Sequence, residues 1–315
     1  MARYLVTGGA GFIGSHISEA LVSDGHEVTI LDNFSSGKRE NLEGFADKIT
    51  LIEGDIRDAS IVGETTRGMD FVFHEAALAS VPRSIDDPTS SNQVNAQGTL
   101  NILEAAKDNG VKKVVYASSS SLYGDSEVLP KVEEMPPQPK SPYAISKLAG
   151  EYYCRVFSEL FDLPTVSLRY FNVFGPRQDP DSQYAPVIPL FVKALLAGEA
   201  PTIFGDGEQS RDFTYIDNVV SANLQVCHDS GRGGRVYNVA CGERFTLNFL
   251  YERLKNIIGS GVEPIYTDPR LGDVKHSQAS IEVIQGDVGY RPTVDFEEGL
   301  TRTVQWYQDV GLATG

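Results

Sequence analysis

Along the first half of the chain, short apolar runs at residues 4–6, 28–31, 50–52, 71–73, 113–117 and 165–168 are separated by polar stretches with helical spacing. Runs this short and continuous mark strands covered on both faces, and strands alternating with helices predict a parallel sheet with helices on either side. Beyond Asn172 the rhythm breaks into clusters of Gly, Pro and Asp at 175–177, 179–181 and 205–207. The pattern divides the chain in two. Residues 1–171 form an α/β domain with a doubly wound parallel sheet, to which some later segments return; residues 172–315 form mainly a smaller mixed α/β lobe.

Residues 143–161 read as one long helix with two adjacent apolar or aromatic stripes, at 145, 148, 152 and 156 and at 149, 153, 157 and 160. One core-facing side needs less than that. The excess calls for a second cover: either the smaller lobe, or a second copy meeting this helix and one around Leu100, Leu103 and Ala106 in an intermolecular four-helix bundle, which makes a homodimer.

At 315 residues the chain exceeds one ordinary core, in keeping with the division. Its 27 Lys and Arg against 43 Asp and Glu leave a formal charge of −16. Nucleic acid and anionic membrane surfaces are poor partners for such a chain, because both need a basic face that displaces counterions. Phosphates in a ligand must be held by local devices. No apolar run approaches a bilayer span and the opening residues lead straight into a strand, so neither anchor nor signal peptide is expected. Cys154, Cys227 and Cys241 are odd in number and lack metal-ligand spacing, which suits free thiols in the cytoplasm and no metal site.

One such local device closes the first strand. Gly8, Gly11 and Gly14 permit a tight turn, close backbone approach to a pyrophosphate and close packing of the next helix, whose N-terminus faces the anion. A Gly-rich turn alone is weak evidence, but Asp32 stands at the end of the second strand, where a carboxylate accepts hydrogen bonds from an adenosine ribose. Together they predict a Rossmann dinucleotide site. Asp32 repels a 2′-phosphate and favours NAD; Lys38 and Arg39 nearby leave NADP as the alternative. A second device is Tyr143 and Lys147, four residues apart on one helix face. A free tyrosine is a poor base at neutral pH, and an adjacent ammonium or a positive nicotinamide favours its phenolate. Such a phenolate takes a proton from a sugar hydroxyl while the carbon beneath gives up hydride.

The Gly-x-x-Gly-x-x-Gly spacing, Asp55-Ile56, Glu75-Ala76-Ala77 and the string from Tyr116 to Gly124 upstream of Tyr143 together resemble the extended short-chain dehydrogenase/reductase family, over essentially the whole chain. Within it, residues 177–180, 184–189, 205–213 and 272–279 look most like the nucleotide-sugar epimerase branch, UDP-N-acetylglucosamine 4-epimerases and UDP-glucose 4-epimerases. The resemblance implies a catalytic triad of Ser119, Tyr143 and Lys147. It implies NAD contacts from Phe12, Ile13, Asn33, Ser35, Gly37, Asp55, Ile56, Ala76, Ala77, Asn95 and Phe171 beside the glycines, Asp32, Tyr143 and Lys147. For a UDP-sugar it implies Ser80, Ser119, Ser120, Ser121, Tyr143, Asn172, Val187, Thr202, Phe204, Arg211, Arg270, Asp273 and Ser277, the two arginines gripping the diphosphate. It also implies the dimer.

Neighbouring chemistries on this scaffold differ by side chain. A 4,6-dehydratase carries an Asp-Glu pair just after the hydroxyl of strand five, where this chain has Ser120-Ser121; a sugar-acid decarboxylase usually carries a Glu there. An epimerase needs no further acid, so the expected activity is exchange of UDP-hexose C4 epimers through a 4-keto intermediate. A dehydratase, a reductase or a non-enzymatic NAD-sensing protein are the alternatives, the last usually lacking the Tyr or Lys kept here. Ser277 stands where relatives restricted to unacetylated sugars carry tyrosine, leaving room for an N-acetyl group. Ala79, often glycine in relatives, narrows the same pocket.

Overall fold

The computed structural model describes residues 1–182, 185–231, 233–269 and 274–311. The six apolar runs form strands β1 (Arg3–Thr7), β2 (Glu27–Asp32), β3 (Ile49–Glu53), β4 (Phe71–His74), β5 (Lys113–Ser119) and β6 (Thr165–Tyr170). A seventh strand, Arg235–Val239, returns from far along the chain to pair with β6. All seven run parallel, in the order Arg235–Val239, β6, β5, β4, β1, β2, β3. The winding reverses between β1 and β4, and ligands of open α/β sheets bind at such a switch point.

Helices α1 (Phe12–Ser23), α2 (Ala59–Thr66), α3 (Val81–Asp86), α4 (Pro88–Asn92), α5 (Gly98–Asp108) and α6 (Pro142–Phe161) follow in the first half, α7 (Val187–Leu196) and α8 (Ile216–His228) in the second. Alternate strand residues serve the two faces. Tyr4, Val6, Ile30, Phe73 and Val115 pack with Ile17 and Leu21 of α1 and Val219 and Val226 of α8. Leu5, Leu31, Val72 and Val114 pack with Val62 of α2, Ile102 of α5 and Cys154 and Phe157 of α6. The run at 50–52 departs from the expectation of burial on both sides: β3 is the sheet edge, and Leu51 is 36% exposed.

Polar contacts set how α6 lies on the sheet. Ser141 Oγ caps it, accepting from Ala144 N at 3.1 Å, and Pro142 opens its first turn. Glu151, buried, receives both Nε and Nη2 of Arg169 from β6 at 2.9 Å and the Ser118 hydroxyl from β5 at 2.6 Å. Arg169 Nη1 donates to the Tyr123 hydroxyl, which donates to Asn238 Oδ1 on the seventh strand. The predicted stripes at Ile145, Tyr152 and Leu160 face outward, 56%, 46% and 70% exposed. Among the described residues, no helix is long and apolar enough to cross a membrane.

Two devices hold segments beyond Asn172 in place. Buried Asp212 accepts N–H groups from Cys241, Gly242 and Ala279 at 3.0–3.1 Å, and burial pushes its carboxyl up to about 7. Lys131, in the connection from β5 to α6, donates its N–H to Gln278 O and accepts at its carbonyl from Ser280 N. That connection is thereby joined to the segment carrying Ser277. Removing one partner of a buried ion pair leaves an uncompensated charge, so Glu151→Ala should lower unfolding stability by about 3–5 kcal/mol; a denaturant midpoint near the parent's would deny the pair this role.

Candidate active site

One pocket of about 1410 Å³ runs along the C-terminal ends of the strands. Sites for one small molecule commonly hold about 300–1,000 Å³, so this one has room for two ligands side by side.

At one end lies the glycine turn. Gly8 has φ +69°, and a Cβ there would stand 2.7 Å from the backbone of Ala76; a Cβ on Gly14 would stand 2.3 Å from Gly8 O. Only glycine permits this approach of turn, helix and β4. Gly11 caps α1 without a side chain, so the first N–H groups of the helix remain available to an anion. Asp32 is buried and accepts from Ala10 N at 2.9 Å and Phe34 N at 2.8 Å; burial raises its carboxyl, and these N–H groups pull it back. Gly37 lies against its oxygens. Beside it Asn33 accepts from Ser35 N and donates to Asp55, whose carboxyl Arg57 holds down at about 2. Phe12, Ile13, Ile56, Ala76 and Ala77 complete this wall. The uncapped helix, the cradle that a Cβ would fill and the acid at the end of β2 fit a dinucleotide. Asn95 lies behind the wall: its amide is taken up by the backbone of Leu78 and the Ser146 hydroxyl.

In the middle, β5 and α6 bring Ser119, Tyr143 and Lys147 together. Burial raises the Tyr143 phenol and the Ser119 hydroxyl lowers it. The ammonium of Lys147, expected to act directly on the phenol, instead donates to Ala117 O at 2.7 Å and lies over the Tyr116 ring. Burial pulls it down to about 8, against the pull of Glu75. Ser119 Oγ also accepts from Ser121 N, so it caps the following turn as well as facing Tyr143. Ser120 and Ser121 line the pocket next to it, and the buried Ser121 Oγ has no partner among the described residues.

At the far end stand Phe171, Asn172, Val187, Thr202, Phe204, Arg211, Ser80 and Ser277. Asn172 takes the left-handed conformation, φ +33°, and donates to Asp212 O. Ser277 N donates to Ser210 O. Arg270 and Asp273 lie outside the described residues. Pattern reading passed over Glu75 and Tyr170, which meet at 2.9 Å in the pocket wall, and Arg177, whose guanidinium docks on Glu19 and Ser15 of α1. Arg177 takes φ +66°, a conformation sequence spacing does not announce.

A doubly wound sheet with a glycine cradle at its switch point and a Ser-Tyr-Lys cluster one strand away defines a dinucleotide-dependent enzyme class. Residues 4–240 match the NAD dependent epimerase/dehydratase family, and the chain belongs to it, with NAD as cofactor. It is 40% identical over 311 residues to UDP-glucose 4-epimerase of Mycolicibacterium smegmatis, covering 98% of this chain and 99% of that one. Among solved structures it superposes on UDP-N-acetylglucosamine 4-epimerase from Methanobrevibacter ruminantium M1 in complex with UDP-N-acetylmuramic acid, with TM-score 0.94, 45% identity and coverage of 98% and 99%. The NAD complex of Thermus thermophilus UDP-glucose 4-epimerase matches with TM-score 0.88, 39% identity and coverage of 97% and 99%.

Proposed function

We propose that the protein interconverts C4 epimers of UDP-hexoses in the cytoplasm, UDP-GlcNAc and UDP-GalNAc foremost. The observation that carries this reading is the meeting of Ser119, Tyr143 and Lys147 in one pocket wall with the small Ser277 and with Ser121, whose Oγ has no partner among the described residues; the family resemblance puts a dehydratase's acids where this chain has Ser120-Ser121. The epimerase relatives support the reaction class.

Bound NAD supplies a hydride acceptor that returns the hydride within the same turnover. Tyr143 accepts the proton of the sugar 4-hydroxyl and gives it back, and Ser119 holds the phenol and the sugar oxygen in line. Lys147, its ammonium held in place by Ala117 O, would fix the cofactor's ribose. Asn172 and Arg211 grip the diphosphate, Val187, Thr202 and Phe204 enclose the base, and Ser80, Ser120 and Ser121 face the sugar. The wide pocket would leave a 4-keto sugar room to turn from one face to the other.

The outward stripe of α6 supports a homodimer, a second copy being the cover its apolar side chains need. Leu103 and Ala106 are spent inside their own domain, so α5 offers Leu100 alone of the three residues named for it.

Tyr143→Phe removes one oxygen and should lower kcat about a hundred- to ten-thousand-fold with NAD still bound; near-parental turnover would move the base elsewhere. Ser277→Tyr should cut the catalytic-efficiency ratio of acetylated over unacetylated substrates, since overpacking costs about 1–3 kcal/mol, a factor of roughly 5 to 150. An unchanged ratio discards the gate. Charging the stripe with Tyr152→Glu and Leu160→Glu should halve the mass seen by sedimentation, and a parent already monomeric at the same concentration would rule the dimer out.

A further inference from the structure

Glu75 follows β4 between the glycine cradle and Lys147, and the reaction as written above gives it no task. Its Oε1 lies 2.9 Å from the Tyr170 hydroxyl, which also lies 3.0 Å from Asn223 Oδ1. Asn223 donates its Nδ2 to Val219 O at 2.8 Å, which turns its Oδ1 toward Tyr170. A phenol has one proton to give. Toward an ionised carboxylate the Tyr170 hydroxyl donates to Glu75; with its proton given to Asn223 Oδ1 instead, the Glu75 contact closes when the carboxyl carries a proton of its own. The contact thus serves either protonation state, and burial pushes Glu75 up to about 7, against the smaller opposing pulls of Tyr170 and Lys147.

Among the described residues, Lys147 is the charged group this acid has to answer. From α6 comes Lys147; from β6 comes Tyr170, its phenol held well above the usual range by burial; from α8 comes the Asn223 amide. On its own strand His74 is bonded between Thr7 and Thr99, and burial pulls it down to about 3, so it carries no charge at neutral pH. A positive nicotinamide arriving beside Lys147 would make two cations in a desolvated wall, and a carboxyl within reach then loses its proton.

We propose that Glu75 is a proton-exchanging counter-charge to the nicotinamide, ionised while the bound cofactor is NAD+ and protonated while it is NADH. This rests on the assignment of NAD to the pocket. Glu75 takes one proton from solvent when hydride transfer removes the ring's positive charge, and releases it when the hydride leaves; the hydride's own electrons and the 4-hydroxyl proton held by Tyr143 are accounted for separately. Glu75 thereby favours the oxidised cofactor, the form to which an epimerase must return. It is a positioning residue, acting on charge rather than on the sugar.

The test uses holoenzyme with carboxyl-labelled glutamate, its bound NAD+ reduced with borohydride, and reads the infrared difference spectrum. Near pH about 6.5, between the lowered and the raised acid values, a labelled carboxylic-acid band should appear on reduction and be absent above about pH 9. Glu75→Gln keeps the size of the side chain and a donor to Tyr170, so it mimics the neutral acid; it should lose the band and weaken the preference for NAD+ over NADH about tenfold or more. A parent without the band, an equal band in both redox states, or a band that persists in Glu75→Gln would overturn the proposal, and the parent spectra decide even if the variant folds poorly. Nicotinamide absorbance in the same sample counts the cofactor: cofactor without the band removes only the role of Glu75, whereas protein holding no NAD removes both readings.

Discussion

The buried pair of Arg169 and Glu151 decides where the reactive side chains stand. Two charges out of water must be matched closely in position, and Glu151 lies one helical turn beyond Lys147, on the same side of α6. Once Glu151 meets Arg169 and the Ser118 hydroxyl, the rotation of α6 is set, and Lys147 and Tyr143 turn toward the strand ends. Apolar packing does not distinguish this orientation. Ile145, Tyr152 and Leu160 on the opposite side are as hydrophobic as Cys154 and Phe157, which go in. The helix buries its most polar face because that face alone has partners on β5 and β6.

The same pair marks the border of what was legible in the sequence. The six strands of the first half were readable because strands covered on both sides are continuously apolar, and the glycine turn because its spacing answers a close approach that any Cβ would block. Both signals are local. The two stripes on α6 were readable as stripes, but which face turned inward depended on Arg169, eighteen residues past Glu151 and on another element. Strand Arg235–Val239 escaped because it enters the sheet after a long stretch of loops, without the strand-helix rhythm. Glu75 was visible only as a letter in a string; its partners Tyr170 and Asn223 are 95 residues and further away, and a carboxyl's environment is not written next to it. Asn95 shows the reverse case, a residue carried over by resemblance whose amide holds the wall from behind.

An acidic chain that handles two phosphorylated ligands must concentrate its few cations. Among the described residues, Lys38, Lys131, Lys140, Lys147, Arg177 and Arg211 stand along the pocket beside Asp32, Asp55, Glu75, Asp125 and Asp179, so charge there is nearly balanced and the excess of carboxylates lies elsewhere. Groups without net charge can also hold an anion: the N–H groups at the start of α1, left without a side-chain cap, and the backbone around the glycines. Overall charge sets solubility and long-range attraction, whereas affinity is decided within a few ångströms.

The join between Lys131 and residues 278–280 has a consequence for recombining this protein with its relatives. The two walls of the sugar end come from distant stretches of sequence, one after β5 and one near Ser277, yet backbone hydrogen bonds make them a single piece. A chimera cut near Asn172 would put a connection from one parent against a segment from the other. Whatever property depends on this joined piece is inherited discontinuously: the stretch between β5 and α6 has to travel with residues 278–280.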